Sequence, residues 1–265
     1  MIQILVLAAV QGVTEFLPIS SQAHLLLVDD FAGWPDAGLR IRVAVHVGSL
    51  GAVLVYFRSD VWAATTGLLH VLMGRNTERA RLAIHLLVAS VPVIAAGAAL
   101  VLVGIEDALT SPKLIAWTMV GFGIVLWFAD RVGMTVRRIE HMRGGAAIAI
   151  GLAQILALVP GTSRAGITMT AARLLGYERT EASRFAMLLG IPVILAAGGW
   201  DAVSIWRDGD LQLGLDAALA AAIAFATAWV SVAALMAWLR RATFTPFVLY
   251  RVVVGGGLLY AIYFT

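Results

Sequence analysis

Residues 11–24 read QGVTEFLPISSQAH, and residues 159–168 read VPGTSRAGIT. Each stretch lies inside a long apolar segment and interrupts it with a proline followed by small polar residues. Broken backbone at membrane depth is tolerated only where protein or a water-filled cavity covers it. The two stretches therefore predict two re-entrant, broken helical elements, one near residues 2–27 and one near 144–175.

The composition places the rest of the chain in a bilayer. The chain has 265 residues, of which 61% are hydrophobic and 13% are charged, and its mean hydropathy is +0.91. Soluble proteins have about 45–50% apolar and about 25% charged residues. Segment 60–74 is mixed in character and is predicted to lie along the interface. Apolar segments long enough to cross a bilayer as helices lie near 41–58, 80–104, 113–130, 183–206, 213–239 and 246–264.

The charge pattern excludes several classes of function. The net charge is +3, but the arginines form short clusters between apolar segments, so we expect no nucleic-acid partner. The chain has no cysteine, which excludes disulfides, thiolate metal sites and a cysteine nucleophile. The N-terminal stretch lacks the basic start of a signal peptide and contains Glu15, so it is predicted to be retained.

The positive-inside rule orients the segments. Loops 105–112 and 207–216 carry acids and little base, among them Glu106, Asp107, Asp208, Asp210 and Asp216, and are predicted to lie outside. The cytoplasmic loops are marked by arginines, namely Arg75, Arg79 and Arg81, then Arg131, Arg137, Arg138 and Arg143, then Arg240 and Arg241.

This orientation makes the two broken elements enter from opposite faces. The element at 2–27 enters and leaves from outside, the element at 144–175 does so from the cytoplasm, and each is followed by three crossings. The predicted fold is therefore an all-α polytopic membrane protein with about six full crossings. It forms one membrane domain, residues 1–265, built as an inverted-topology repeat of about 1–130 and about 144–265.

The first polar cluster combines an acid, two hydroxyls and an imidazole. Gln11 and Glu15 are four residues apart and share a helix face. Ser20 or Ser21 suits the N-cap of the helix after Pro18, which places His24 on its first turn. Free backbone N–H groups at such a helix start bind anions readily.

The second cluster adds a cation. Gly161 permits a tight turn, Thr162 or Ser163 can cap the next helix, Arg164 lies in its first turn, and Thr168 follows one turn later on the same face. Arginine suits phosphate because its planar fork donates two parallel hydrogen bonds.

Simpler interpretations remain open for these residues. Glu15 and Arg164 could form a structural salt bridge, His24 could be a packed core histidine, and single hydroxyls often only join helices. His46 has no acid nearby in sequence and is predicted to have a packing or supporting role. Against these interpretations, a charge at bilayer depth costs about 2.5–3.5 kcal/mol and marks a functional site by default.

The two clusters resemble the signatures of a known family, the bacterial undecaprenyl-pyrophosphate phosphatases of the bacitracin-resistance type. The likeness runs essentially from end to end and includes residues 151–154, 184–185 and 247–251. The chain departs from the family pattern at three places: Gln11 stands where many members have glutamate, Ala165 where serine is usual, and Ala23 where glycine is common.

The resemblance implies an enzyme of carrier-lipid recycling in peptidoglycan synthesis. It would hydrolyse C55-isoprenyl pyrophosphate to the monophosphate, on the outer side of the bacterial plasma membrane, with a divalent cation, Mg²⁺ or Ca²⁺. Glu15 is a candidate metal ligand and Gln11 a second one. Its expected partners are the lipid substrate and the bilayer, with a homodimer as an open alternative to the monomer. The residues that match family site positions are Glu15, Ser21, His24, Ser163, Arg164 and Thr168.

The mechanism stays open between several assignments. Arg164 and the two helix starts would hold the pyrophosphate, with Ser20, Gly161, Thr162, Ser163 and Thr168 as further phosphate-binding candidates. Ser21 is the predicted nucleophile with His24 or Glu15 as base, and His24 as direct nucleophile is the alternative. A transporter or flippase of a polyprenyl phosphate lipid is the rival function, because broken helices in inverted repeats are common there.

Overall fold

The computed structural model describes residues 1–34, 38–104, 109–207 and 214–264, and this part of the chain is helical almost throughout. Short 3-10 helices occur at Ile139–His141 and Ile155–Leu158. The α-helices of the described residues are α1 Ile2–Thr14, α2 Ser21–Ala32, α3 Leu39–Tyr56, α4 Arg58–Leu72, α5 Glu78–Val103, α6 Pro112–Val132, α7 Gly144–Gln154, α8 Arg164–Leu174, α9 Arg179–Arg207, α10 Leu215–Leu239 and α11 Thr245–Phe264.

Most predicted crossings match these helices. Among the described residues, five helices are long and apolar enough to cross a membrane: α5, α6, α9 as far as Gly199, α10 and α11. The predicted division between a crossing at 41–58 and a separate mixed segment at 60–74 falls where the chain bends by 90° at Phe57, between α3 and α4. The two helices pass the same test only as one bent pair, so the number of candidate crossings is five or six. That segment 60–74 lies along the interface stays a prediction.

Local signals explain where the long helices begin and end. The Thr77 side chain accepts a hydrogen bond from Ala80 N at 3.1 Å and caps α5, which ends at Gly104 in the left-handed conformation. Pro112 is the first residue of α6, where its missing N–H removes no helical hydrogen bond.

The acids that were used to orient the chain, Glu106, Asp107, Asp208 and Asp210, lie outside the described residues. The orientation derived from them therefore stays a prediction.

The helices pack in two similar groups. In one group, α1 and α3 both pack on α10; in the other, α7 and α9 both pack on α5. Helix α6 packs on α11, and α3 also contacts α9. Close approach depends on glycine at two places: a Cβ on Gly12 would lie 2.5 Å from the carbonyl oxygen of Ala224, and one on Gly151 would lie 2.5 Å from that of Ala89.

A buried ionic cluster joins α6, α8 and α9. Asp130 Oδ1 accepts hydrogen bonds from Arg173 Nε at 3.1 Å and from Arg179 Nε at 2.7 Å. The other oxygen, Oδ2, accepts from the backbone N–H of Phe244, just before α11, at 3.2 Å. Removing one partner of such a buried cluster would leave an uncompensated charge, so the cluster fixes how these helices meet.

Candidate active site

The two broken elements meet at an ion pair. Glu15, directly after α1, accepts a hydrogen bond through Oε1 from Nη2 of Arg164, the first residue of α8, at 2.9 Å. These residues are 149 positions apart in the chain, and their side chains are only 8% and 14% exposed. The expectation that the two clusters lie together is therefore correct for Glu15 and Arg164.

The second carboxylate oxygen of Glu15 accepts hydrogen bonds from the side chains of two more predicted site residues. Oε2 accepts a hydrogen bond from Ser21 Oγ at 2.8 Å and another from Gln11 Nε2 at 2.9 Å. The predicted shared face of Gln11 and Glu15 is thus confirmed. A hydroxyl that donates to a carboxylate is arranged to lose its proton to that carboxylate, which is the geometry of an activated nucleophile.

The two breaks use the same unusual backbone conformation. Ser20 and Ser163 have φ angles of 75° and 72°, in the left-handed region that residues other than glycine rarely adopt. Each serine directly precedes a helix, α2 or α8, and Ser163 Oγ caps α8 by accepting a hydrogen bond from Gly166 N at 3.1 Å. Strain of this kind persists where the surrounding structure enforces it, and it is concentrated at functional sites.

A buried arginine that sequence reasoning left unassigned ties the breaks together. Arg251 of α11 is 0% exposed. It donates hydrogen bonds to the carbonyl oxygens of Pro18 in the first break and of Gly161 and Thr162 in the second, at 3.2, 2.9 and 2.9 Å. Further bonds run to two α6 carbonyls, those of Met119 and Thr118. In the sequence, a charged residue inside an otherwise apolar helix is the signal that could have identified Arg251 as a functional or structural site.

A polar cavity of about 210 Å³ lies where the breaks meet. Predicted site residues that line it are Glu15, Ser20, Ser21, Ser163 and Arg164. His46 of α3 also lines it, and its predicted packing or supporting role stays untested. The sequence places no acid near His46, because Glu15, which follows α1, shares the cavity with it only in the folded chain.

His24 lies on the first turn of α2, as predicted, but it does not line the polar cavity. Its Nδ1 is 2.7 Å from the carbonyl oxygen of Ser20, and its Nε2 is 2.6 Å from the hydroxyl of Tyr250. The His24 and Tyr250 rings stack with centroids 5.5 Å apart. Among the described residues, the hydrogen-bond partner of the Ser21 hydroxyl is Glu15 rather than His24.

Three predicted phosphate-binding residues lie behind the cavity rather than on its surface. Thr168 Oγ1 donates to the carbonyl of Arg164 at 2.9 Å. Gly161 forms the tight turn with φ of +89° and presents its carbonyl to Arg251. Thr162 Oγ1 is buried and has no hydrogen-bond partner among the described residues. Their roles in phosphate binding stay predictions.

An apolar cavity of about 530 Å³ adjoins the polar one. It lies between α5 and α9, with Ile94, Gly97 and Ala98 on one side and Ala196 on the other. The two cavities share lining residues, namely Gln22, Val93, Leu158, Val193 and Ala197. A molecule with a charged head and an apolar tail fits this arrangement, because the polar and apolar spaces are continuous.

The predicted divalent cation can be tested against the oxygen atoms present. The described residues contain no group of three or more His, Asp or Glu side chains able to hold a metal. Gln11 Oε1, however, is buried beside Glu15 without a hydrogen-bond partner in this part of the chain. Magnesium is commonly held by one or two carboxylates together with substrate phosphates. The site therefore fits a cation bound mainly by a diphosphate rather than one caged by protein.

Comparison with known proteins gives a consistent result along the chain. The family model described as "Bacitracin resistance protein BacA" matches residues 4–257. A protein of Roseobacter denitrificans named undecaprenyl-diphosphatase is 49% identical over 253 residues, which cover 95% of each chain. Undecaprenyl-diphosphatase 1 of Rhodospirillum rubrum is 47% identical over 267 residues, which cover 98% of this chain and 94% of that protein.

Proposed function

Because the chain belongs to the bacitracin resistance protein family, we propose that it is an undecaprenyl-diphosphatase, which hydrolyses undecaprenyl diphosphate to undecaprenyl phosphate and inorganic phosphate. The chain is a multi-pass membrane protein of bacterial type. The observation that carries the proposed activity is the hydrogen-bonded series Arg164–Glu15–Ser21 in a polar cavity. It brings together a cation for phosphate, a carboxylate base and a nucleophile.

The adjoining cavities support a lipid diphosphate as substrate. The diphosphate occupies the polar cavity beside Arg164, and the first isoprene units lie in the apolar cavity between α5 and α9. In the apolar cavity the tail stays in an apolar environment, as it does in the bilayer, while the charged head gains hydrogen bonds in the polar cavity. A soluble phosphate ester has no long apolar tail that could fill the larger, apolar cavity.

The reaction begins with transfer of the Ser21 proton to Glu15. Ser21 Oγ then forms a bond to the terminal phosphorus, and the bond from that phosphorus to the bridging oxygen breaks. Undecaprenyl phosphate leaves with that oxygen. A water molecule then attacks the phosphorus of the phosphoserine, inorganic phosphate leaves with the water oxygen, and the proton on Glu15 returns to Ser21 Oγ. Glu15 is favoured over His24 as the base because it accepts the Ser21 hydrogen bond at 2.8 Å.

Arg164 stabilises the negative charge that spreads over the phosphoryl oxygens during transfer. Its Nη1 is buried without a partner among the described residues, so one donor of the fork remains free for a phosphate oxygen while Nη2 binds Glu15. His24 remains the alternative nucleophile or base. It would need to exchange its Tyr250 hydrogen bond for substrate.

A divalent cation, Mg²⁺ or Ca²⁺, belongs to this proposal. Glu15 and Gln11 Oε1 would hold it together with the diphosphate, and when bound it neutralises charge on the phosphoryl oxygens. Gln11 Nε2 already donates a hydrogen bond of 2.9 Å to Glu15, which places the buried, unpartnered Gln11 Oε1 close to the carboxylate that lines the cavity.

The proposal also includes an inverted repeat of residues 1–130 and 144–265, with the site open to the outer side of the membrane. The packing supports two related halves. Exchange of α1 with α7, α3 with α9 and α10 with α5 turns the contacts of α1 and α3 with α10 into those of α7 and α9 with α5. Each half also begins with a helix, a break and a serine of positive φ.

Phosphate release from farnesyl and undecaprenyl diphosphate by purified protein in detergent tests the activity, with and without a chelator. Glu15→Gln should remove most of the rate, and Glu178→Gln, which changes a surface acid paired with Arg138, is the matched control. A wild-type protein that releases no phosphate with any divalent cation, yet moves a polyprenyl phosphate across vesicles, would favour the flippase instead.

A further inference from the structure

His24 and His46 make similar hydrogen bonds through Nδ1 but differ in the partners of Nε2. Both imidazoles direct Nδ1 at the carbonyl oxygen four residues earlier, that of Ser20 at 2.7 Å and that of Arg42 at 2.8 Å. A carbonyl oxygen can only accept, so each Nδ1 carries its hydrogen. The rings differ at Nε2, because that of His24 is bound to Tyr250, whereas that of His46 has no hydrogen-bond partner among the described residues.

His46 belongs to the wall of the polar cavity. Val43 and His46 lie three residues apart on one face of α3, and both line the cavity together with Ser21 and Arg164. His46 is also close enough to Glu15 for its charge to act on that carboxylate. The free Nε2 is therefore available to a ligand in the space where the proposed diphosphate binds.

The charged side chains that line the cavity supply too little positive charge to balance a phosphate ligand. Of the described lining side chains, Glu15, Arg164 and His46 can carry charge. Glu15 and Arg164 neutralise each other through their ion pair, and the charge of Arg251 is directed at backbone carbonyls. A terminal phosphate brings about −1.5 to −2 charges near pH 7, so a second cationic donor from the chain would stabilise it in addition to the proposed divalent cation.

We propose that protonated His46 donates a hydrogen bond from Nε2 to the terminal phosphate of the substrate, as a second cationic ligand beside Arg164. The proposal rests on the proposed function and names a further binding residue in the same site. The Arg42 carbonyl already holds the ring through Nδ1, so a hydrogen bond from Nε2 to the phosphate requires no movement of the ring.

The test compares three variants. His46→Leu removes both donor and charge, and His46→Gln keeps a neutral N–H donor. His70→Gln changes a histidine of α4 that binds Thr77 and lies outside the cavity. Hydrogen bonds to charged groups contribute about 1.5–3 kcal/mol, which corresponds to about 10- to 150-fold in affinity. We expect KM for farnesyl diphosphate to rise by this factor in His46→Leu and by less in His46→Gln, with smaller changes in kcat.

The split between KM and kcat separates a phosphate ligand from a structural role. Loss of a ligand that binds substrate and transition state alike raises KM and leaves kcat nearly unchanged. A distorted cavity would lower kcat as well. Equal KM values for wild type and His46→Leu, or a loss in His46→Leu confined to kcat, would overturn the proposal.

Calorimetric titration with inorganic diphosphate, in the presence of a chelator, makes the result independent of turnover. Weaker binding by His46→Leu but not by His70→Gln is expected. Equal binding by wild type and His46→Leu would contradict the role of His46 even in an active enzyme. If the wild type binds diphosphate through His46 but hydrolyses no prenyl diphosphate, the proposed function fails and the binding site stands.

Discussion

The two breaks share a backbone plan but carry different chemistry. Both place a serine with positive φ immediately before a helix start, and Arg251 binds the carbonyls of both. The first break supplies a carboxylate and a hydroxyl, Glu15 and Ser21, and the second supplies the guanidinium of Arg164. Two breaks with one backbone plan can therefore differ in chemistry. In the proposed mechanism the first serves bond formation and the second serves charge stabilisation, while Arg251 holds them together.

The largest effect should come from the nucleophile of the first break. Ser21→Ala removes the hydroxyl that donates to Glu15 at 2.8 Å, and we expect kcat to fall by about 10³-fold or more. KM should change little, because the cation of the second break remains. Ser90→Ala, which removes a hydroxyl bound to its own helix in α5, is the control. A residual rate above about a tenth of wild type would assign bond formation to another residue, with His24 first in line.

Arg164→Lys tests the second break. A lysine keeps the charge but loses the fork that binds Glu15 and a phosphate oxygen together, so kcat/KM should fall by about 10²- to 10³-fold. Phosphate-release kinetics over a range of substrate concentrations measure it. Near-normal kcat/KM in this variant would mean that the pair with Glu15 is structural and that the two breaks do not divide the chemistry as described.

Arg251→Lys tests the connection between the breaks. The arginine donates to five carbonyl oxygens, and lysine has only three donors. Buried carbonyls left without a partner should lower the free energy of unfolding by about 2–4 kcal/mol and reduce activity by about tenfold. Thermal unfolding in detergent measures the first effect, and Arg138→Lys at an exposed site is the control. An unchanged unfolding temperature would contradict the role of Arg251 in holding the two breaks together.

Tyr250→Phe should have the smallest effect. The change removes the hydroxyl bound to His24 Nε2 at 2.6 Å and keeps the stacked ring. Loss of one hydrogen bond corresponds to about two- to tenfold in rate if the bond only orients the imidazole. Steady-state rates at several pH values measure it, because a freed Nε2 should also titrate differently. A loss greater than about 100-fold would make Tyr250 part of the reaction itself.

Sequence reasoning recovered those features that depend on local chemistry. The breaks, the Gln11–Glu15 face and the helix start at Arg164 follow from proline, serine and a spacing of four. The change from an apolar crossing to a mixed segment near residue 58 indicated the place of the bend at Phe57, but neither proline nor glycine indicates its angle of 90°. The clamp by Arg251 was missed because its partners are backbone carbonyls, which every residue has. The position of His46 depends on how α3 packs, and local spacing does not report that.

A double-variant cycle tests most directly whether the two breaks form one catalytic site. The rates of Ser21→Ala, Arg164→Ala and the double variant would be measured with farnesyl diphosphate under one set of conditions. Since Ser21 and Arg164 both act on the same carboxylate and phosphoryl group, each single variant should remove most of the rate, and the double variant should be little slower than the worse single one. Losses that add in free energy would show that Ser21 and Arg164 work independently, and would contradict the single site.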